Sequence, residues 1–281
     1  MIGVCLQQCI EENHPEILES SAPYRAIEST FQKQDPFLLV EGDIRGIQRY
    51  IYDVSSKGAL RGLRARSFHL ELLLEETADR ILAVAALPET QVLFSGGGHF
   101  LMLLPNTESM LRKLIVLQRT ISKEFWERDP RLSLALVFQP LSWNGLKSSE
   151  GLQKTFGELH GKLAREKAVP LADHLPDILG KTEDGTGKTC KVCGARADFL
   201  HDMKEEKEVA CGACSSLYTL GGRLADAKYL WREKGEIRTS REISALPAGT
   251  DRVWVLRKVR DGLQSEDSRF RPLPWAEYAF D

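Results

Sequence analysis

The chain has 281 residues, of which 42% are hydrophobic and 28% charged, with a formal net charge of −2. This length allows one sizeable core with a smaller module, or two modest domains. The near-neutral charge excludes a general attraction to nucleic acid, so any basic surface is local, as around Arg61 and Arg64. No apolar run approaches the roughly 18 residues of a membrane span, and Met1–Cys9 lacks a charged leader. We therefore expect a cytoplasmic protein with no membrane partner.

The first 35 residues, 1–35, carry mixed helical signals that Pro15 and Pro23 interrupt. They predict an irregular lead-in with one or two short helices. Cys5 and Cys9 are spaced to share one helix face, which is compatible with a site. Packing of two small hydrophobic side chains beneath the lead-in is the favoured interpretation.

A strand and a long helix are predicted next. The apolar run Phe37–Gly42 indicates a strand, and Ile44–Val54 indicates a short helix or a loop that returns across the sheet. From Leu60 to Ala85, apolar residues recur at steps of three and four, which is typical of an amphipathic helix. Ser67 falls in this apolar stripe, where it either lines a cavity or hydrogen-bonds back to its own helix.

Two apolar runs around three glycines, Val92–Ser95 and Phe100–Leu104, predict a hairpin. Thr107 is suited to cap the following helix, and Leu132–Leu141 alternates as a strand does. The order strand, helix, strand, strand, helix, strand predicts an α+β fold with a ferredoxin-like palm domain (βαββαβ) over residues 36–170. That topology places the first strand beside the hairpin.

Helical additions and a C-terminal segment complete the predicted organisation. Hydrophobic spacing, turn composition and cysteine spacing define these parts. They are a helix over 149–167, a linker over 171–188, a zinc ribbon over 189–216, and a segment over 217–281 with a helix over 217–231 and a strand over 253–259.

Two cysteine pairs form the most specific motif in the chain. Cys190 and Cys193, and then Cys211 and Cys214, are each separated by two residues, which lets both sulfurs of a pair bind one ion. Four thiolates fill a tetrahedral coordination sphere and leave no place for water, so we predict a structural zinc ion. A redox or disulfide pairing is the alternative.

A possible phosphate site arises where the first strand meets the glycines. Asp43 follows the apolar strand, and the amides of Gly96–Gly98 lie on the predicted neighbouring turn. Because glycine lets the backbone approach a ligand closely, successive amides there can form an anion-binding concavity. The plainer interpretation of Asp43 is that it ends a strand and caps the next helix.

Several short motifs together resemble one known family. They are Gly42–Gln48 (GDIRGIQ), Ser56–Phe68 (SKGALRGLRARSF), Ser95–Phe100 (SGGGHF), the cysteine pairs and Leu220–Ala225 (LGGRLA). The sequence resembles the large subunit of type III-A CRISPR effector complexes from about Pro36 to Trp231. The resemblance implies palm domains, related to nucleotide cyclases of the GGDEF type, that bind two ATP molecules. When target RNA is engaged, the paired palms of that family make cyclic oligoadenylate.

The chain departs from the family pattern in two ways. A histidine-aspartate nuclease domain is missing, because His201-Asp202 is the only such dipeptide and lies between the cysteine pairs. The Gly-Gly-Asp-Asp motif of a second palm is also missing, and the hairpin here reads Gly96–His99 (GGGH). Phosphoryl transfer needs carboxylates from strand and hairpin to hold magnesium or manganese, and Asp43 alone cannot provide them. We therefore predict no activity without a second palm.

The residue pattern and the resemblance agree on an ATP-binding half-site. Backbone amides would contact phosphate or ribose, Ser67 would lie near the base, and Lys57 or Arg66 near phosphate. The expected nucleotide contacts are Asp43, Ile44, Arg45, Gly46, Lys57, Arg66, Ser67, Gly96, Gly97 and Gly98. For the basic residues, the usual alternative is a solvated helix face.

Three functions are compatible with these observations. The leading one is a part of a type III CRISPR antiviral complex whose partners are other subunits, a second palm and, indirectly, guide and target RNA. The alternative is an inert scaffold of the same ribonucleoprotein, without nucleotide binding. A stand-alone diguanylate-type cyclase is disfavoured, because glycines replace the acids of the hairpin.

Overall fold

The computed structural model describes residues 1–54, 58–169, 187–203, 208–234, 242–243, 252–257 and 269–272. The described residues divide into two compact units. The first unit comprises those within Met1–Gly46 and Thr77–Gly180, and the second those within Ile47–Glu76 and Lys181–Asp281. The predicted palm over 36–170 is contiguous in sequence, whereas the structure assigns the described residues within 47–76 to the second unit.

An antiparallel sheet forms the centre of the first unit. Its strands are β1 (Phe37–Arg45), β2 (Val92–Gly96), β3 (His99–Pro105) and β4 (Ser133–Leu141). They lie in the order β2-β3-β1-β4, and every neighbouring pair is antiparallel. The predicted contact between the first strand and the hairpin is therefore confirmed.

Within the first unit, helices pack against this sheet, and polar caps fix where several helices of the chain begin. In chain order, the helices through residue 168 are α1 (Ile2–Asn13), α2 (Pro23–Phe31), α3 (Ile47–Tyr52), α4 (Ala59–Ala85), α5 (Glu108–Arg128), α6 (Trp143–Leu146) and α7 (Ser149–Ala168). The Thr107 hydroxyl accepts a hydrogen bond from the Met110 amide and caps α5, as predicted. None of the helices in the described part of the chain is long and apolar enough to cross a bilayer.

The lead-in packs through its two cysteines. Cys5 lies in a core cluster with Phe37, Leu39 and Leu103, and Cys9 lies in a second cluster with neighbouring lead-in residues. Both thiols are almost fully buried and donate to backbone carbonyls. The packing interpretation of these cysteines is confirmed.

We expect both lead-in thiols to resist alkylation in the native chain. Burial raises the pKa of Cys5 to about 12 and that of Cys9 to about 11, so thiolate is about a thousandth or less of each at pH 8. Iodoacetamide labelling with mass spectrometry should modify Cys5 and Cys9 only after urea is added. Because the unfolded chain loses these protons first, unfolding free energy should fall as pH rises from about 9 to about 11. If iodoacetamide modified Cys5 or Cys9 in the native chain as fast as it modifies a free thiol, the burial of these side chains would be contradicted.

The second unit combines α3 and the first part of α4 with the cysteine-rich segment. Two short hairpins precede α8 (Gly212–Asp226), and a four-stranded sheet follows it. The hairpin strands are β5 (Lys188–Thr189), β6 (Arg196–Ala197), β7 (His201–Met203) and β8 (Glu208–Ala210). The later strands are β9 (Tyr229–Lys234), β10 (Glu242–Ile243), β11 (Arg252–Arg257) and β12 (Arg269–Pro272), in the order β10-β11-β9-β12.

Several boundaries differ from those predicted. β1 runs through Asp43 to Arg45 instead of ending at Gly42, because these residues continue to pair with β4. The helix predicted over 217–231 begins and ends five residues earlier, as α8, and its first turn holds Cys214. Most of the predicted 171–188 linker lies outside the described residues.

Candidate functional site

The end of β1 and the glycine hairpin meet in the first unit. Asp43 lies opposite His99 on β3 and Ala135 on β4. The Ile44 amide donates to the Gly98 carbonyl at 2.8 Å, which ties the two chain segments together. Gly97 has a φ of +63°, and nothing lies within 4 Å of the position that a Cβ would take there. The hairpin tip is thus open beside Asp43, although the Ile44 amide is already used.

Two basic side chains, Lys167 and Arg45, accompany Asp43 at this end of β1. Lys167, near the end of α7, places its Nζ 2.6 Å from Asp43 Oδ2. Nη1 of Arg45, another predicted nucleotide contact, is buried and has no hydrogen-bond partner among the described residues. The structure therefore brings Asp43 and Arg45 to the predicted region and adds a lysine that the sequence analysis missed.

Glu41 is the second feature that the sequence analysis missed. It is 2% exposed, and its Oε1 lies 2.7 Å from Nε2 of His99 and 3.5 Å from Nε2 of His160 on α7. Its Oε2 is buried without a partner among the described residues. A carboxylate in the middle of an apolar strand is the sequence signal for such a group, since burying it is costly unless donors face it. His99 therefore pairs with Glu41 in this structure.

Three of the predicted nucleotide contacts, Arg66, Ser67 and Lys57, belong to α4 or to the sequence just before it. Arg66 is 1% exposed, and its guanidinium donates to the Tyr50 carbonyl and to Cys214 Sγ. It is therefore not available to a phosphate in this structure, which corrects its predicted role. Ser67 is exposed, so the apolar stripe does not include it, because the buried face of α4 at this turn carries Arg66 and Phe68 instead. Lys57 lies outside the described residues.

Four cysteine sulfurs converge in the second unit. The Sγ atoms of Cys190, Cys193, Cys211 and Cys214 all lie within 4.8 Å of one another. The Cys193 and Cys211 sulfurs are 3.8 Å apart, far beyond the ~2.05 Å of a disulfide. Sulfurs at about 2.3 Å from a tetrahedral zinc ion would be about 3.8 Å apart, so the cluster fits such an ion. The fit supports metal binding over the disulfide alternative.

Hydrogen bonds within the cluster prepare it to carry negative charge. The Cys214 thiol donates to Cys193 and lowers the pKa of Cys193 to about 5. The same contact, together with burial, raises the pKa of Cys214. The Cys211 amide donates to Cys190 Sγ at 3.2 Å. Metal ligation requires the remaining thiols to lose their protons, so metal binding should release protons.

The first unit combines an antiparallel sheet with helices, and the second carries a cluster of four cysteines that could hold a metal ion, so the chain is of the α+β class. The sequence profile of the family described as Csm1 subunit domain B matches residues 36–183, which is more than half of the chain. The chain therefore belongs to the Csm1 domain B family, as the resemblance implied.

Curated relatives carry the same family name. The chain is 32% identical over 200 residues to the CRISPR system single-strand-specific deoxyribonuclease Cas10/Csm1 (subtype III-A) of Thermococcus onnurineus, covering 69% of this chain and 26% of that protein. The protein of that name from Mycobacterium tuberculosis is 32% identical over 206 residues, covering 68% and 25%. The chain thus spans about a quarter of the length of these relatives.

Solved structures show the same fold. The Csm1-Csm4 subcomplex of the type III-A CRISPR-Csm interference complex gives a TM-score of 0.58 at 22% identity, covering 80% of this chain and 26% of that chain. The Csm1-Csm4 cassette in complex with one ATP gives 0.60 at 22% identity, covering 82% and 27%. At this identity the likeness shows the fold alone.

Proposed function

We propose that this chain provides one ATP-binding half-site in the large subunit of a type III-A CRISPR effector complex. Its first unit would be a ferredoxin-like palm, and a second palm bearing Gly-Gly-Asp-Asp would complete the site for cyclic oligoadenylate synthesis. Other subunits of the complex, such as a Csm4-type protein, would be its partners in the cytoplasm. Guide and target RNA would act on it through the assembled complex.

One observation carries this proposal: the end of β1 and the open glycine hairpin are adjacent. Asp43 pairs with His99, and the Ile44 amide bonds to the Gly98 carbonyl, so a ligand at the Gly97 tip would also meet the Asp43 face. The solved cassette with one ATP, which shares this fold, supports nucleotide as the ligand class. Asp43 would hold ribose hydroxyls or a metal ion, since a carboxylate accepts hydrogen bonds and repels phosphate.

The metal centre would hold a structural zinc ion through all four cysteines. Thiolate ligands suit zinc, and a complete set of four leaves no open position for a reacting water. The ion would stabilise the fold of the cysteine-rich segment and take no part in nucleotide chemistry. Magnesium or manganese would enter only with the acids of a second palm.

Reconstitution tests the catalytic half of the proposal. The full chain, mixed with a folded Gly-Gly-Asp-Asp palm and ATP with Mg²⁺ or Mn²⁺, should yield cyclic oligoadenylate by mass spectrometry, and either partner alone should yield none. A folded, stably associated pair that leaves ATP unchanged would argue against a shared active site.

ATP binding should weaken when the hairpin tip is filled. Gly97→Asn adds a side chain where no atom lies within 4 Å, and asparagine tolerates a positive φ, so the fold should persist. Calorimetric titration of the full chain with ATP should show at least a tenfold rise in Kd. Gly161→Ala on α7, where space is also open, is the control that should keep wild-type affinity. If both variants bound ATP with equal affinity, the hairpin tip would not be part of the ATP site.

The scaffold alternative has a specific observation in its favour. The Lys167 ammonium and the Gly98 carbonyl already occupy two of the predicted contacts, Asp43 and the Ile44 amide. A scaffold that has lost nucleotide binding would show no saturable heat with ATP in the same calorimetric titration, while still assembling with the other subunits.

A further inference from the structure

Among the described residues, Arg66 is the most deeply buried charged side chain without a carboxylate partner. It is 1% exposed, on the face of α4 that packs within the second unit. Its hydrogen-bond partners are the Tyr50 carbonyl and the Cys214 sulfur, the latter 3.5 Å from Nη2. Its guanidinium carbon also lies 5.0 Å above the Tyr50 ring. One of these partners is a neutral carbonyl, and one is a neutral ring.

A guanidinium stays protonated at any pH that the protein meets, so its charge is buried here permanently. Such a charge is stable in a protein interior only when an opposite charge or strong acceptors face it. Of the partners that the structure gives Arg66, only the Cys214 sulfur can carry negative charge. The burial of Arg66 is therefore explained if Cys214 is a thiolate, as it is when it ligates a metal.

The four-cysteine centre, in turn, is stabilised by a nearby positive charge. Four thiolates around a divalent ion leave a net charge of about −2 inside a partly buried cluster. The Cys211 amide serves Cys190, one of the two buried ligands, and Arg66 serves Cys214, the other. Partners that donate to a ligand and balance its charge raise metal affinity, and losing one typically costs about 10–100-fold.

We infer that Arg66 is the charge partner of the four-cysteine metal centre, supplied by α4 from outside the cysteine-rich segment. Arg66 is a positioning residue, because it acts through Cys214 and does not touch the metal. Through its bond to the Tyr50 carbonyl it also ties α3 to the centre, so metal loading and the order of α3 are linked. This inference goes beyond the proposed ATP half-site and does not depend on it.

The test compares Arg66→Gln with Arg64→Gln in the full chain. Arg64 is the matched control because it also joins α4 to α8, but its Nη1 donates to the Gly221 carbonyl at 3.3 Å and not to sulfur. Chelator competition should show zinc affinity falling about 10–100-fold in Arg66→Gln and less than about threefold in Arg64→Gln. Arg66→Lys, which keeps the charge, should fall between the Gln variant and wild type.

Substituting cobalt for zinc gives a spectroscopic measure of how strongly the cysteine sulfurs donate electrons to the metal. The thiolate-to-cobalt charge-transfer band should shift in Arg66→Gln, because a sulfur without its hydrogen bond is a stronger electron donor, and should stay unchanged in Arg64→Gln. A merely structural arginine would leave the band in place. Wild-type zinc affinity together with a wild-type cobalt spectrum in Arg66→Gln would overturn the inference.

A measurement on the wild-type chain covers the case in which Arg66→Gln does not fold. Stripping the metal with a chelator should speed hydrogen exchange in peptides from Ile47–Tyr52, while exchange in the sheet strand Phe37–Arg45 stays as it was. Unchanged exchange in α3 after complete metal removal would also overturn the inference. None of these three experiments measures ATP binding, so all three results stay interpretable if the proposed function is wrong.

Discussion

Replacing Cys190 with serine is expected to abolish metal binding and unfold the cysteine-rich segment. Cys190 is buried and its sulfur lies in the cluster of four, so a hydroxyl there leaves three thiolates around a site that needs four. Structural zinc sites contribute about 10–16 kcal/mol of apparent binding free energy at neutral pH, which makes this the largest effect expected of any substitution here. Elemental analysis should find about one zinc per wild-type chain and almost none in the variant, and trypsin should cleave the variant rapidly between β5 and α8.

Cys9→Ser is the matched control for that substitution. The Cys9 thiol is also buried and donates to the Pro36 carbonyl at 3.1 Å, a bond that a serine hydroxyl can make in its place. This variant should keep its zinc and its protease resistance between β5 and α8. Retention of metal by Cys190→Ser, or equal metal loss in both variants, would refute a four-cysteine centre.

Gly46→Asn is expected to destabilise the first unit by about 3 kcal/mol. Gly46 has a φ of +82°, and a Cβ at this position would lie 1.9 Å from the Arg131 carbonyl oxygen. Because the colliding atom belongs to the backbone, no side-chain rotation can relieve the contact, and the chain entering β4 must move. Urea titration with pulse proteolysis of the full chain should report the lower stability.

Gly97→Asn separates this collision from the conformational effect of a positive φ. Gly97 has a similar φ of +63°, but nothing lies within 4 Å of its Cβ position. The same substitution should therefore cost no more than about 1 kcal/mol there, which is the strain of asparagine in the left-handed region. Equal losses at the two positions would show that the backbone angle, and not the Arg131 carbonyl, makes Gly46 necessary.

Much of the first unit could be predicted because its signals are local. Alternating strands, the capping Thr107 and the three glycines at the hairpin indicate the order of elements, and that order in turn brings β1 beside β3. The role of Gly42 was harder to foresee. The predicted strand ends at Gly42, yet this glycine lies inside β1, where a Cβ would lie 2.2 Å from the Phe100 ring. Close packing across strands leaves no trace in one segment of sequence.

The candidate site could be predicted only in outline, for a similar reason. Helical spacing placed Ser67 on the buried face of α4, but the buried residue is Arg66, because that face meets the cysteine-rich segment and not only aliphatic side chains. His160 and Lys167 on α7, which face Glu41 and Asp43, lie more than a hundred residues away from them in sequence. Such pairings depend on tertiary structure, which periodicity does not encode.

The pairing of Lys167 with Asp43 has a consequence for how readily this corner of the sheet can change partners. Lys167 is the penultimate residue of α7, where helices fray, and its side chain is 36% exposed. Ion pairs that water reaches in this way are worth roughly 0–1 kcal/mol. A ligand that binds Asp43 can therefore displace Lys167 at a free-energy cost of no more than about 1 kcal/mol. The released ammonium group is then able to pair with a negatively charged group of that ligand.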